Sequence, residues 1–171
     1  FYTTGAGAAY KKEVPSVTGQ GRLAANEAPQ SAYTQTEFDS MAEYRDAAVI
    51  VIGRSGSESM DLPVDYLSFT EEERSLIEMA QGRFNKIVLV LNVTNPINMA
   101  EIARYDIDAV LWVGALGQEG AYAVGEALNG TVNPSGHLVD TWAVDPAGSP
   151  AAANLGDYTI TNSNVTSGNK Y

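Results

Sequence analysis

Three features predict an α/β fold, a three-layer α/β/α sandwich around a mainly parallel sheet. Continuous β-branched apolar runs recur at 47–53, 86–93 and 108–114. Segments with helical spacing separate them, and capping signals stand where those segments begin. Strand and helix in alternation put helices on both faces of a parallel sheet, whose strands read as unbroken apolar runs because neither face meets water.

The elements follow in order. Residues 1–33 are rich in Gly, Ala, Ser and Thr, with Pro15 and Pro29, and read as a mostly irregular lead-in with at most one short strand. Thr34 or Thr36 opens a helix in "TQTEFDSMAEYRD". Thr34 and Glu37 fit a capping box, and Phe38, Met41 and Ala42 share one face. "AAVIVIG", 47–53, is a buried strand. Ser68 with Glu71, or Thr70 with Glu73, then starts a helix reaching about Phe84, with Ile77, Ala80 and Phe84 as its inner stripe. "KIVLVLNV", 86–93, is the next strand. Asn95 as cap and Pro96 at the first helical position open a short helix to about Arg104. "DAVLWVG", 108–114, is a third strand and 118–128 a helix stopped by Gly130. "GHLVDTW", 136–142, is expected as a fourth strand. The domain body is thus 34–144, and 145–171 reads as a tail or linker towards a partner domain outside this chain.

Bulk properties narrow the function. The 171 residues suit one domain with a real core, and 44% of them are hydrophobic. A net charge of −11 argues against nucleic acid and against an anionic membrane surface as partners. With no cysteine, disulfides and thiolate metal sites are excluded, and the compartment, cytoplasmic or secreted, stays open. No apolar run nears the roughly 18 residues of a membrane span. The chain starts at Phe1, so a fragment or processed piece is expected.

In open parallel sheets, ligands sit beyond the C-terminal ends of the strands. The cluster "GRSGSESMD", 53–61, leaves the first strong strand at that end and is the leading site candidate. Glu58 and Asp61 stand among Gly56 and small serines, so backbone and substrate can approach closely. A loop glutamate serves as a general acid when a neighbouring body shields it; otherwise it is a solvated loop residue. "GALGQEG", 114–120, is a second rim turn, where Glu119 either lines a site or serves the helix start. "TEEER", 70–74, reads as a solvated first turn complementing the helix dipole.

Other motifs fall away. "GAGAAY", 5–10, starts like a dinucleotide fingerprint but has Tyr10 at the sixth place and no strong strand before it. "GRSGS", 53–57, nearly matches G-x-S-x-G, with Ser55 as nucleophile and Ser57 where the last glycine belongs. A nucleophile elbow turns straight into a helix, whereas Pro63 and the polar stretch before Ser68 imply a long loop. The sole histidine, His137, would have to be the base, and an ordinary surface histidine is the simpler reading.

The blocks "AAVIVIGRSGSESMD", "KIVLVLNVTNPINM" and "IDAVLWVGALGQEGAYAVGEALNGTVNPSGHLVDTW" together resemble the α/β-sandwich domain of family 3 glycoside hydrolases, the β-glucosidase type. The third block is the most specific, through Gly117-Gln118-Glu119-Gly120, Ala127-Leu128-Asn129-Gly130 and Asn133-Pro134-Ser135-Gly136. The likeness spans roughly 45–142, and "NLGDYTITN" resembles the lead-out of members that place this domain ahead of a barrel.

What the resemblance implies is an active site shared by two bodies. A (β/α)8-type barrel carries the nucleophile, and this domain lends an acid/base glutamate on a loop over the barrel mouth. By position that glutamate is Glu58, with Asp61 trailing it and Arg54, Ser57 and Asp61 as substrate-binding candidates. The family's loop has glycines on both sides of the glutamate, where this chain has Ser57 and Ser59. The substrate implied is a β-linked glycoside, most simply a β-D-glucoside, with no metal and no organic cofactor. This chain by itself would be inactive. A non-catalytic α/β docking module that has kept the fold and lost the site is the competing class.

Overall fold

The computed structural model describes residues 14–18, 22–54 and 64–150, with side chains placed from 27 to 54 and from 66 to 150. Among the described residues five strands form one sheet in sequence order. They are β1 (Val14–Thr18), β2 (Arg22–Asn26), β3 (Ala48–Arg54), β4 (Ile87–Val93) and β5 (Ala109–Trp112). The helices are α1 (Gln35–Met41), α2 (Glu71–Gln81), α3 (Met99–Ala103) and α4 (Gly120–Leu128). The α/β class read from the sequence is the class observed.

β3, β4 and β5 are parallel, from Ala48 opposite Ile87 to Arg54 opposite Val93, and from Val88 opposite Ala109 to Leu91 opposite Trp112. β1 and β2 pair antiparallel over Val14 to Asn26, and β2 joins β3 through one antiparallel pairing, Ala24 with Arg54. The lead-in therefore carries two strands where the sequence suggested at most one. Their side-chain alternation is masked by small residues, and a hairpin at a sheet margin is specified by its neighbour as much as by its own pattern.

One sheet face holds the core. Ile50, Ile52, Ile87, Leu89, Leu91 and Val93 meet Ile77 and Ala80 of α2, Ile102 of α3, and the loop residues Phe69 and Ile97. At about 25 cal/mol per Å², burying each such side chain contributes roughly 1.5–3 kcal/mol. α1 lies beside α2, where Met41 and Met79 pack with Tyr33 and Phe38. On the opposite face Val49 and Val51 are 49% and 56% exposed, while Val90 on the central strand stays buried. None of the residues of α4 is buried.

The caps explain where the helices begin. Thr34 and Thr70 each form a complete capping box with Glu37 and Glu73. α2 stops at Gln81 before Gly82, earlier than Phe84, although Phe84 N–H still bonds the Ala80 carbonyl at 2.9 Å. α3 begins later than expected. Asn98 and not Asn95 is the cap, its Oδ1 accepting from Ala100 N–H at 2.9 Å. Between the two asparagines Ile97 is fully buried and belongs to the core, and the helix starts only after it. Asn95 is buried and donates to the Pro96 carbonyl instead. Gly130, at φ +80°, ends α4 as expected.

The expected strand at 136–142 is absent, and Leu138 and Val139 lie 49% and 81% exposed. A strand needs a neighbouring ladder, and this segment makes other bonds. Trp142 packs edge-on against Trp112 with ring centres 6.0 Å apart. Just past it, the Ala143 carbonyl accepts from Met99 N–H and the Val144 carbonyl from Ala100 N–H, both at 3.2 Å, the second sharing with Asn98 Oδ1 a donor at the start of α3.

Candidate active site

The rim formed by the C-terminal ends of β3, β4 and β5 begins at Arg54. Its backbone is held from both sides, by Ala24 of β2 and Val93 of β4. Its side chain turns inward and is 6% exposed. Arg54 Nη2 donates to Glu73 Oε2 at 2.5 Å and to the Ser68 carbonyl at 2.9 Å. The guanidinium also lies 5.5 Å from the centre of the Tyr66 ring. Nη1 is buried without a hydrogen-bond partner among the described residues.

Glu73 does two things with one oxygen. Oε2 accepts from Arg54 and, at 2.8 Å, from Thr70 N–H, closing the capping box. Thr70 Oγ1 in turn accepts from Glu73 N–H at 3.2 Å. Burial pushes the Glu73 carboxyl above its ordinary pKa, and the charge of Arg54 pulls it back. The reading of 70–74 as a solvated turn thus holds for Glu71, which is exposed, and fails for Glu73, which is buried. Two sequence signals pointed to it: its place three residues after Thr70, and a lone arginine at the preceding strand's end.

Glu58, Ser57, Asp61 and Ser55 lie outside the described residues; they occupy the link between Arg54 and the 3-10 turn at Val64–Leu67. Along the rim, Trp112 Nε1 donates to the Val93 carbonyl at 2.7 Å. The turn after β5 places Gly114 and Gly117 at φ +59° and +64°, a backbone that side chains resist. Glu119 is the N-cap residue of α4 but its side chain makes no capping bond. His137 is exposed and lines a cleft of about 430 Å³ with Met99, Ile102, Trp112, Leu138 and Trp142. That cleft is mostly apolar and does not include Arg54 among its walls.

Among the described residues no group of three or more His, Asp or Glu side chains is placed to hold a metal ion. No described helix is long and apolar enough to cross a membrane.

A parallel sheet packed on helices, with Arg54 and Glu73 buried together at the C-terminal end of β3, defines an α/β domain. The chain belongs to the glycosyl hydrolase family 3 C-terminal domain, whose family model matches residues 3–170. It is 34% identical to a β-glucosidase of Ruminococcus albus, over 67% of this chain and 12% of that protein. A β-xylosidase/α-L-arabinofuranosidase of Medicago sativa is 30% identical over 60% of this chain and 14% of its own length. Among solved structures, a β-glucosidase from Paenibacillus barengoltzii superposes with a TM-score of 0.69 at 30% identity, covering 79% of this chain and 15% of that one. The chain therefore spans only a small part of each relative.

Proposed function

We propose that this domain supplies the acid/base glutamate of a retaining β-glycosidase, with Glu58 in that role and the nucleophile on a barrel domain of the same parent protein. The observation that supports the reading is the position of Arg54. Glu58 is four residues past the strand end that Arg54 anchors, on the rim where parallel sheets carry their sites. Membership of the family and the β-glucosidase names of several relatives support a β-D-glucoside as substrate.

The chemistry needs two carboxyls about 5–5.5 Å apart. One attacks the anomeric carbon. The other gives its proton to the leaving oxygen, then takes one from the water that releases the sugar. A glutamate on a loop suits the second role. Closing over the sugar removes water, which raises the carboxyl's pKa and readies it as an acid. Ser57 and Asp61, near Glu58 in sequence, make up the proposed binding set; Arg54, the third candidate read from the sequence, is turned inward onto Glu73 and is left to hold the strand end. The domain alone then has half a site and no turnover.

Glu58→Ala in the full-length enzyme tests this. General acid catalysis accounts for about 10²–10⁴-fold. Turnover of phenyl β-glucoside should fall by that order, the dinitrophenyl glucoside far less, and azide should restore release of the activated substrate as glycosyl azide. Unchanged turnover of the phenyl glucoside would remove Glu58 from the mechanism and leave the docking module as the reading.

A further inference from the structure

We infer that the outer flank of β3 is a docking surface, and that its occupant is an apolar β-strand of the parent polypeptide outside this chain, paired parallel to β3. The inference rests on the parent being longer than this chain, as the proposed two-domain enzyme is, and not on the role given to Glu58.

The sequence of β3 reads as a strand buried on both faces, yet only one face is buried. Ile50 and Ile52 lie in the core, while Val49 and Val51 on the other face are 49% and 56% exposed. Gly53 stands in the same row, and a Cβ built on it would meet no atom within 4 Å. The open strip therefore runs the length of the strand. The backbone of these residues faces outward as well. Ala48 N–H donates to the Lys86 carbonyl at 2.9 Å, and in a ladder alternate residues bond the neighbour on one side. That register turns the N–H and C=O groups of Val49, Val51 and Gly53 away from β4. On that side the neighbouring strand is β2, and its pairing with β3 among the described residues is the one at Arg54. Parallel strands are stable when both faces and both edges are covered, and β3 has one of each.

Three observations choose the occupant. The relatives are several times longer than this chain, so a single polypeptide can carry both the surface and what covers it. Next, α1 leads into β3 and packs beside α2, which leads from β3 to β4. A right-handed crossover lays its helix on that face when the strand before it runs parallel along the outer side of β3. Finally, the β1–β2 hairpin stands on that same side, joined to β3 at one residue. A single extended segment of about six residues fits beside 48–53, whereas a second folded copy has to clear the hairpin. The chemistry of the segment follows from its neighbours. It is uncharged and β-branched, because it continues the layer of Ile50 and Ile52 on one face and that of Val49 and Val51 on the other.

The test compares the full-length parent with this chain by residue-resolved amide exchange. Val51→Cys is made in both, since this chain has no cysteine and the introduced thiol can be followed with a maleimide. The amides of Val49, Val51 and Gly53 should exchange on the order of 100-fold more slowly in the parent than in this chain, with Ile50 and Ile52 protected in both. The thiol should label readily in this chain and at least about tenfold more slowly in the native parent. Equal exchange of the three amides in the two proteins means the flank stays open and overturns the inference. Protection in this chain alone that fades on dilution makes a second copy the occupant; protection independent of concentration means the chain covers its own flank. Either result overturns the parental strand. Should Val51→Cys unfold the parent, exchange of the unsubstituted proteins decides by itself. Neither readout involves turnover, so failure here leaves the role of Glu58 standing, and failure of the Glu58→Ala test leaves the occupancy of β3 as measured.

Discussion

Arg74 and Glu101 form a two-point ion pair, Nε to Oε2 at 3.0 Å and Nη2 to Oε1 at 2.7 Å, that ties the first turn of α2 to α3. The fork geometry matches the carboxylate, and Glu101 is 11% exposed against 33% for Arg74. Hydrogen bonds from Arg74 hold the Glu101 carboxyl below its ordinary pKa. Glu101→Gln should cost about 1 kcal/mol near neutral pH, since the pair is partly open to water. A depressed folded pKa means the contribution is complete above the unfolded value of about 4.3 and disappears as pH falls through the folded value. Urea denaturation of both proteins should show the gap near pH 7 and its closure towards about pH 2.

Tyr33 titrates late. Its hydroxyl is pushed up to about 12, first by burial and then by the charge of Glu27. Following tyrosinate absorbance against pH, a late step should be present and should vanish in Tyr33→Phe. Because the folded value lies above the unfolded one of about 10, this residue's contribution to stability is whole below pH ~10 and is lost as pH rises through about 12.

The two capping boxes are alike in sequence and unlike in consequence. Thr34→Ala should cost about 1 kcal/mol, the common value for a lost cap. Thr70→Ala should cost more, because Glu73 is buried and its carboxylate bonds Arg54 as well as the helix start. Denaturation midpoints of the two variants, measured side by side, check the order; equal losses would contradict the coupling.

Ile77 and Val49 separate the two sheet faces. Ile77 is fully buried under the sheet, and Ile77→Ala should cost about 3 kcal/mol. Val49 is 49% exposed, and Val49→Ala should cost under about 1 kcal/mol. Urea unfolding of this chain gives both numbers.

The turn after β5 requires its glycine. A Cβ on Gly117 would meet no atom within 4 Å, so space is not the obstacle; φ of +64° is. Gly117→Ala should lower stability by about 1 kcal/mol, and Gly117→Asn by less, since asparagine tolerates that backbone. Melting temperatures of the pair check the order.

Patterns that are local in the chain are legible in the sequence itself. Unbroken β-branched runs became β3, β4 and β5, and Thr34 and Thr70 became caps, because strand formation and helix starts depend on residues a few positions apart; the burial on both faces expected of these runs holds for most of β4 and fails for β3, where Val49 and Val51 are exposed, and for β5, where Val110 is. Phe38, Met41, Ile77 and Ala80 reached the core for the same reason. The family likeness of 45–142 was legible too, carried by short motifs that survive in the linear order. What the chain by itself could not announce depended on a distant partner. Nothing near 136–142 says that the chain there will stay out of the sheet while Ala143 and Val144 just beyond it bond the start of α3, nor does 97 declare that it will be swallowed by the core ahead of a cap at Asn98. Glu73 looked like one carboxylate of three facing water until an arginine 19 positions earlier met it in the interior. Only the fold decides which of several equivalent charges is dehydrated, because burial is a property of the assembled neighbours and not of the residue.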